Sequence, residues 1–182
     1  MINLKELEEI VKSINLDLTE EDIFNFLKIS KRWPIRYPWG QHSVEILCNN
    51  EHLECMHFFN INSYLNFNEW KRFYDLGFTS IISNVLDLNE ELRLLNKKLT
   101  ENTGLEINGN FYFSKPGQRA SFDSHHHEYD VIVKQIYGTA EWQVNNQFFT
   151  LSPSETCIIP KNVVHQVLNK NKNKLSLTIN IQ

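Results

Sequence analysis

The sequence predicts a mainly β protein of the α+β class: a helical brace over residues 1–40, then an antiparallel β-barrel over residues 41–182 with inserted helices, all in one domain. Three observations predict it. Beyond Gly104 the chain breaks into short β-rich runs, NGNFYF, HHHEYDVIVKQIYG, AEWQVNNQFFTL, ETCIIP, HQVLN and KLSLTINI, parted by turn formers such as Pro116-Gly117, Asn145-Asn146 and Pro160-Lys161-Asn162. That cadence belongs to a sandwich or barrel. The first residues carry apolar side chains at helical spacing. Finally, 182 residues with 41% hydrophobic and 12% aromatic content suffice for one real core and are too few for a multidomain assembly.

Taken in order, Leu4, Leu7, Ile10, Val11 and Ile14 recur at helical spacing, and Thr19 before Glu20, Glu21 and Asp22 reads as a capped start to a second helix through Phe24 and Leu27. WPIRYPWG, residues 33–40, breaks regular structure with two prolines and a glycine and leads into the strand-like runs VEILC and ECMHFFNI. NEWKRFYDLG reads as a helix, TSIISNVL as a buried strand, and NEELRLLNKKLTENTG as an amphipathic helix capped by Gly104. Trp70 and Trp142 read as core or pocket-wall anchors.

Composition narrows the function. Eighteen Lys+Arg against 22 Asp+Glu give a formal charge of −4, and no basic run offers itself to a line of phosphates, so nucleic acid is not the expected partner. No stretch reaches the roughly 18 apolar residues of a membrane span, and MINLKELEEI is too acidic and amphipathic for a secretory signal. A cytoplasmic address is expected. Three cysteines, Cys48, Cys55 and Cys157, do not make a disulfide framework. The group Cys48, His52, Cys55 and His57 matches no familiar zinc spacing, so ordinary packing is its reading, and Cys157 reads as an inert buried thiol.

The chemistry concentrates in His125, His126 and His127, followed by Glu128 at the head of an apolar strand, with His165 on a later one. Alternation in a strand sets His125 and His127 on one side and His126 and Glu128 on the other. If the first pair faces inward, so do Tyr129, Val131, Val133 and Gln135. The other register pushes Asp130 and Lys134 into the barrel, where unpaired charge is costly. The first register with His165 makes three neutral imidazoles, suited to Fe, Cu, Ni or Zn and poor for Mg or Ca. The second makes His126, Glu128 and His165, a two-histidine, one-carboxylate triad.

Pro160-Lys161-Asn162-Val163-Val164-His165-Gln166-Val167-Leu168-Asn169 resembles the second motif of the cupin superfamily, with Asn162 in place of the turn glycine. His125 and His127 followed by Gly138 are similar to the first motif, with Val131 where that motif carries a glutamate ligand. A longer stretch, about residues 77–169, resembles the JmjC-like cupins of the ribosomal-oxygenase type: GFTSIISNVLDLNEELRLLNKKL, NGNFYFSKPGQ and HHHEYDVIVKQIYGTAEWQV follow that family's order of strand, helix and metal strand. The resemblance implies a double-stranded β-helix (jelly-roll) barrel. It implies His125, His127 (where the family has aspartate) and His165 as metal ligands, and Asn110 and Tyr112 on the pocket wall. The basic residue that in the family grips the far carboxylate of 2-oxoglutarate is Ala140 here, leaving Lys115, Arg119 and Lys134 as substitutes.

Three imidazoles would leave Fe(II) its full charge and open positions for an anionic substrate and O₂, as in the similar three-histidine thiol dioxygenases. The expectation is a mononuclear non-haem Fe(II) oxygenase acting on a small-molecule or peptide substrate, another transition metal being the variant. Tyr112, Lys115 and Gln135 would work in or near the pocket, and Asn110 and Arg119 would bind co-substrate. The alternatives are a 2-oxoglutarate-dependent hydroxylase and a non-catalytic metal- or small-molecule-binding cupin. The N-terminal helices offer a surface for a homodimer.

Overall fold

In the computed structural model, which describes residues 3–29, 44–48, 51–54, 57–62, 64–116, 122–169 and 173–182, two helices come first. α1 (Leu4–Ser13) starts at Asn3, whose side chain accepts from the Glu6 N–H, and buries Leu7 and Val11. α2 (Glu20–Ile29) opens with a capping box: the Asp22 N–H donates to Thr19 Oγ1 at 3.2 Å, and the Asp22 carboxylate accepts from the Thr19 N–H at 2.8 Å. Both helices lie where apolar spacing predicts them. The breaker at residues 33–40 lies outside the described residues.

β1 (Val44–Cys48) pairs with the short β2 (Glu51–His52) and forms the VEILC strand. The described residues of ECMHFFNI do not form the second predicted strand. Among its described residues only Phe59 makes a bridge, to Leu65. Phe58 and Phe59 are both buried, their rings 5.2 Å apart. A strand would send these neighbours to opposite faces. Here the chain turns, and Asn60 holds the turn by accepting from the N–H groups of Asn62 and Tyr64.

α3 (Phe67–Asp75), β3 (Thr79–Ile82) and α4 (Glu90–Thr103) follow as predicted. Gly104 ends α4 at φ 68° and returns its N–H to the Thr100 carbonyl. Trp70 and Tyr74 of α3 stack on one another, Tyr74 also stacks on Phe113, and the Trp70 indole donates to Ser80 Oγ at 2.8 Å. The remaining strands are β4 (Ile107–Ser114), β5 (Asp130–Tyr137), β6 (Ala140–Val144), β7 (Gln147–Leu151), β8 (Thr156–Ile159), β9 (His165–Asn169) and β10 (Lys174–Ile181). They build a seven-stranded sheet ordered β2-β1-β3-β4-β10-β5-β8 and a three-stranded sheet ordered β7-β6-β9, with antiparallel pairing throughout. Val131, Val133 and Ile159 of the large sheet pack against Ala140, Trp142 and Leu151 of the small one. This is the jelly-roll arrangement with its helical brace.

The large sheet has two unlike faces. Leu175, Leu177, Ile179 and Ile181 of β10 join Phe111, Phe113 and Ile132 in the main core with Leu7, Trp70 and Leu95 of the helices. The intervening Lys174, Ser176, Thr178 and Asn180, with Asn110 and Tyr112 of β4, face a cavity between the sheets. Lys134 belongs to the helix side: its ammonium donates to the Val11 and Lys12 carbonyls at 3.1 and 3.0 Å, covering the C-terminal end of α1. Gly138, φ 68°, turns β5 into β6 where an added Cβ would fall 2.0 Å from the Asn173 carbonyl oxygen.

No helix among the described residues is long and apolar enough to cross a membrane. The Cys48 side chain and Cys55 lie outside what the structure describes, and His52 hydrogen-bonds Glu45 instead. Burial, and then the nearby Glu8 carboxylate, push the Cys157 thiol up to about 12, which keeps it protonated and unreactive.

Candidate metal centre

β5 begins only at Asp130, so the predicted strand beginning at His125 is interrupted; the stretch before it is held by single contacts. His125 and His165 form an isolated bridge, each backbone N–H donating to the other's carbonyl at 3.1 and 2.8 Å. The His127 carbonyl accepts from the Asn162 N–H at 2.7 Å. Asn162 sits at φ 62°, a left-handed conformation that asparagine tolerates better than most residues. Strand alternation survives without strand pairing: His125, His127 and Tyr129 are partly buried, while His126 and Glu128 are exposed.

The outcome is a cluster. Ring centroids are 4.5 Å apart for His125 and His165, 4.9 Å for His125 and His127, and 5.1 Å for His127 and His165. One nitrogen from each ring lies within 4.8 Å of the others, the span over which one ion can be shared. His165 is only 5% exposed. His127 stacks on Tyr129, Phe122 lies against His125, and Trp142 lies beyond His165.

Hydrogen bonding fixes two tautomers. His125 Nδ1 lies 2.8 Å from the Asp123 carbonyl and His165 Nδ1 lies 2.9 Å from that of Val163. A carbonyl only accepts, so each Nδ1 carries the proton and each Nε2 keeps its lone pair. Burial, reinforced by His165, His125 and His126, lowers His127 to about 4. Burial also lowers His165. His127 and His165 are therefore held in the uncharged form that nitrogen ligands need. Neutral imidazoles fit Fe, Cu, Ni or Zn and fit Mg or Ca poorly.

The cavity these rings border has a volume of about 230 Å³. Asn110 and Tyr112 line it, as the resemblance implies; burial raises the Tyr112 phenol, followed by Tyr129 and Glu45, so it stays a neutral donor. Three other expectations need correction. Lys115 is not among the lining residues: it is ion-paired with Asp75 of α3 and sits over the Tyr74 ring. Gln135 has the predicted inward parity, yet its amide is consumed by the Tyr137 and Leu175 carbonyls and by Ser176 Oγ, and it does not line the cavity. Lys134 caps α1 on the far face. Arg119 lies outside the described residues. Ala140, 1% exposed between the sheets, leaves no room for a cation.

Among the described residues, the cation that lines the cavity is Lys174, which the sequence analysis did not name. It is 4% exposed and pairs with Ser114 across β4 and β10. The signal was legible: KLSLTINI alternates without a fault, so Lys174 shares the face of Ser176, Thr178 and Asn180. Glu45 and His52 also line the cavity, joined by a 2.8 Å bond from His52 Nδ1 to Glu45 Oε2. Phe122 closes the rim between His52 and His125, with ring centroids at 6.4 and 5.1 Å.

A family model described as mannose-6-phosphate isomerase C-terminal matches residues 101–182. A search of curated proteins gives no significant match. Among solved structures, the chain is similar to YcfD, a ribosomal oxygenase from Escherichia coli, in complex with cobalt and succinic acid, at 15% identity and a TM-score of 0.65, covering 92% of this chain and 44% of that one. A second structure of YcfD gives 12% identity and a TM-score of 0.59 over the same shares. A cupin-2 domain protein from Shewanella frigidimarina matches at 21% identity over 42% of this chain and 71% of that one, TM-score 0.36. The chain thus spans less than half the length of the oxygenase it resembles. Its paired sheets and its likeness to the ribosomal oxygenase structures agree on one architecture: the chain has a jelly-roll fold.

Proposed function

We propose that the protein is a mononuclear non-haem iron oxygenase, with His125, His127 and His165 holding Fe(II). The observation that carries this reading is the convergence of three imidazoles, two of them held with Nε2 free, on one side of a cavity between the sheets. Iron(II) bound there would supply dioxygen activation, a chemistry that no side chain of the chain provides. The chain's own residues do the rest. Val131, Val133 and Ile159 keep the floor dry. Tyr112 offers a phenolic proton that burial keeps in place. The carbonyls of Asp123 and Val163 hold two rings in orientation, and second contacts of this kind set ligand basicity and aim.

The test is metal analysis of gently purified protein, then O₂ consumption by the iron-reconstituted form across a substrate panel. One equivalent of iron and substrate-dependent uptake are expected; absence of any transition metal after reconstitution contradicts the reading.

Lys174 favours a second reading, a 2-oxoglutarate-dependent hydroxylase. A buried ammonium facing the cavity can hold a distal carboxylate in place of the basic residue that Ala140 lacks. Saturating 2-oxoglutarate with Fe(II) should then raise the melting temperature through ligand occupancy. No shift speaks against this version and leaves the metal site untouched.

A further inference from the structure

The cavity holds two opposite charges that the metal site does not use. Glu45 projects from β1 and Lys174 from β10, on the same face of the large sheet. The register places Glu45, Ile81, Tyr112 and Ser176 in one row across four strands, with Lys174 one residue pair further along. Strand spacing puts the two Cα atoms at most about 16 Å apart, and both side chains reach inward from there. One small molecule can span the remaining gap.

Each anchor is built for a charged group. Glu45, its side chain 17% exposed, gives one oxygen to His52 Nδ1. A carboxylate accepts about four hydrogen bonds, so capacity remains. Among the described residues no lysine or arginine pairs with it. Tyr112 and Phe122 also line the cavity, and aromatic faces attract a cation. At the other end Thr79 and Ser114 lie in the same register row as Lys174. Among the described residues Ser114 Oγ, buried just behind the cavity wall, has no hydrogen-bond partner. A cavity of about 230 Å³ admits a molecule of metabolite size and no folded chain.

We infer that the substrate is a small zwitterion of the free amino-acid class, its ammonium group held at Glu45 and its carboxylate at Lys174. This rests on reading the cavity as the substrate site of the proposed oxygenase. It departs from a peptide substrate, which has no free α-carboxylate beside its reacting residue, and from a dicarboxylate, which has no use for Glu45.

The test uses the intact chain, metal-free and zinc-loaded, in ligand-observed NMR against the common free L-amino acids. The tightest binder is compared with its decarboxylated amine and its deaminated acid. Each single-charge molecule should bind at least tenfold more weakly than the parent. E45Q should erase the advantage of the parent over the acid, and K174M its advantage over the amine, with K174R restoring the latter. Circular dichroism establishes that the variants fold; if K174M does not, E45Q, at the better exposed position, decides alone. Binding of no amino acid overturns the inference. So does an acid that binds as tightly as its parent with E45Q unchanged. Zinc binding that requires the three histidines, without amino-acid preference, sinks the zwitterion and leaves the metal centre; the preference without zinc binding does the reverse.

Discussion

The two faces of the seven-stranded sheet are written in the same strands, one residue apart, and do opposite work. On β10, Leu175, Leu177, Ile179 and Ile181 are at most 5% exposed in a hydrocarbon core, while Lys174, Ser176, Thr178 and Asn180 are nearly as buried at 3–9%. Burial alone does not separate them; composition does. Apolar area removed from water stabilises the helix-side face at roughly 25 cal/mol per Å². Polar groups on the cavity side gain little in net stability, since each must regain in the protein the hydrogen bonds it loses to water. Two of that row are satisfied inside the protein, Ser176 by Gln135 Oε1 and Thr178 by the Asn110 carbonyl.

Substitutions on either face sharpen this contrast. Phe113→Ala on the helix side, where the ring stacks on Tyr74 and Trp70, should cost about 3–5 kcal/mol in urea unfolding. Any folded fraction should keep its metal affinity. His165→Ala should do the opposite: unfolding changes little, while zinc affinity by calorimetry falls at least about 100-fold, beyond the 10–100-fold typical of losing an outer-shell partner. Lys134→Met leaves the last carbonyls of α1 without their donor and should cost about 1–2 kcal/mol, with no effect on metal. Thr178→Val, on the cavity face, gives up one bond to the Asn110 carbonyl and should cost less than about 1 kcal/mol.

Acid probes the same contrast. His127 has a folded-state value of about 4, below its unfolded 6.5, so the unfolded chain binds the extra proton first. Stability of the metal-free protein is complete above about pH 6.5 and falls as pH drops from there towards 4. His127→Phe should flatten that limb of the urea-unfolding profile by about 1 kcal/mol, discounted because the ring is only half buried.

How much of this was legible in the sequence follows from what each signal depends on. Helix caps and helical spacing are local, so α1 and α3 were readable as helical runs, α2 also from Thr19 and α4 also from Gly104, while the Asn caps of α1, α3 and α4 emerge only in the structure. The histidine pair was readable because alternation holds even where strand pairing does not. ECMHFFNI failed because Phe58 and Phe59 are both buried, which tertiary packing decides. Lys115 failed because its partner Asp75 comes from a helix distant in sequence. Gln135 faced the right way and was spent on backbone carbonyls, a matter of depth along the barrel that parity does not encode. Lys174 was in plain view within an alternating strand, but the register of that strand against β4 had to be known before its face could be named.

His125, His127 and the buried His165 should bind one metal ion, and the exposed His126 should take no part. Calorimetric titration of zinc into the wild type, His127→Ala and His126→Ala tests it most directly. One site per chain is expected in the wild type and in His126→Ala with equal affinity, and at least about a 100-fold loss in His127→Ala. Equal weakening by both substitutions, or no stoichiometric site at all, would contradict the account.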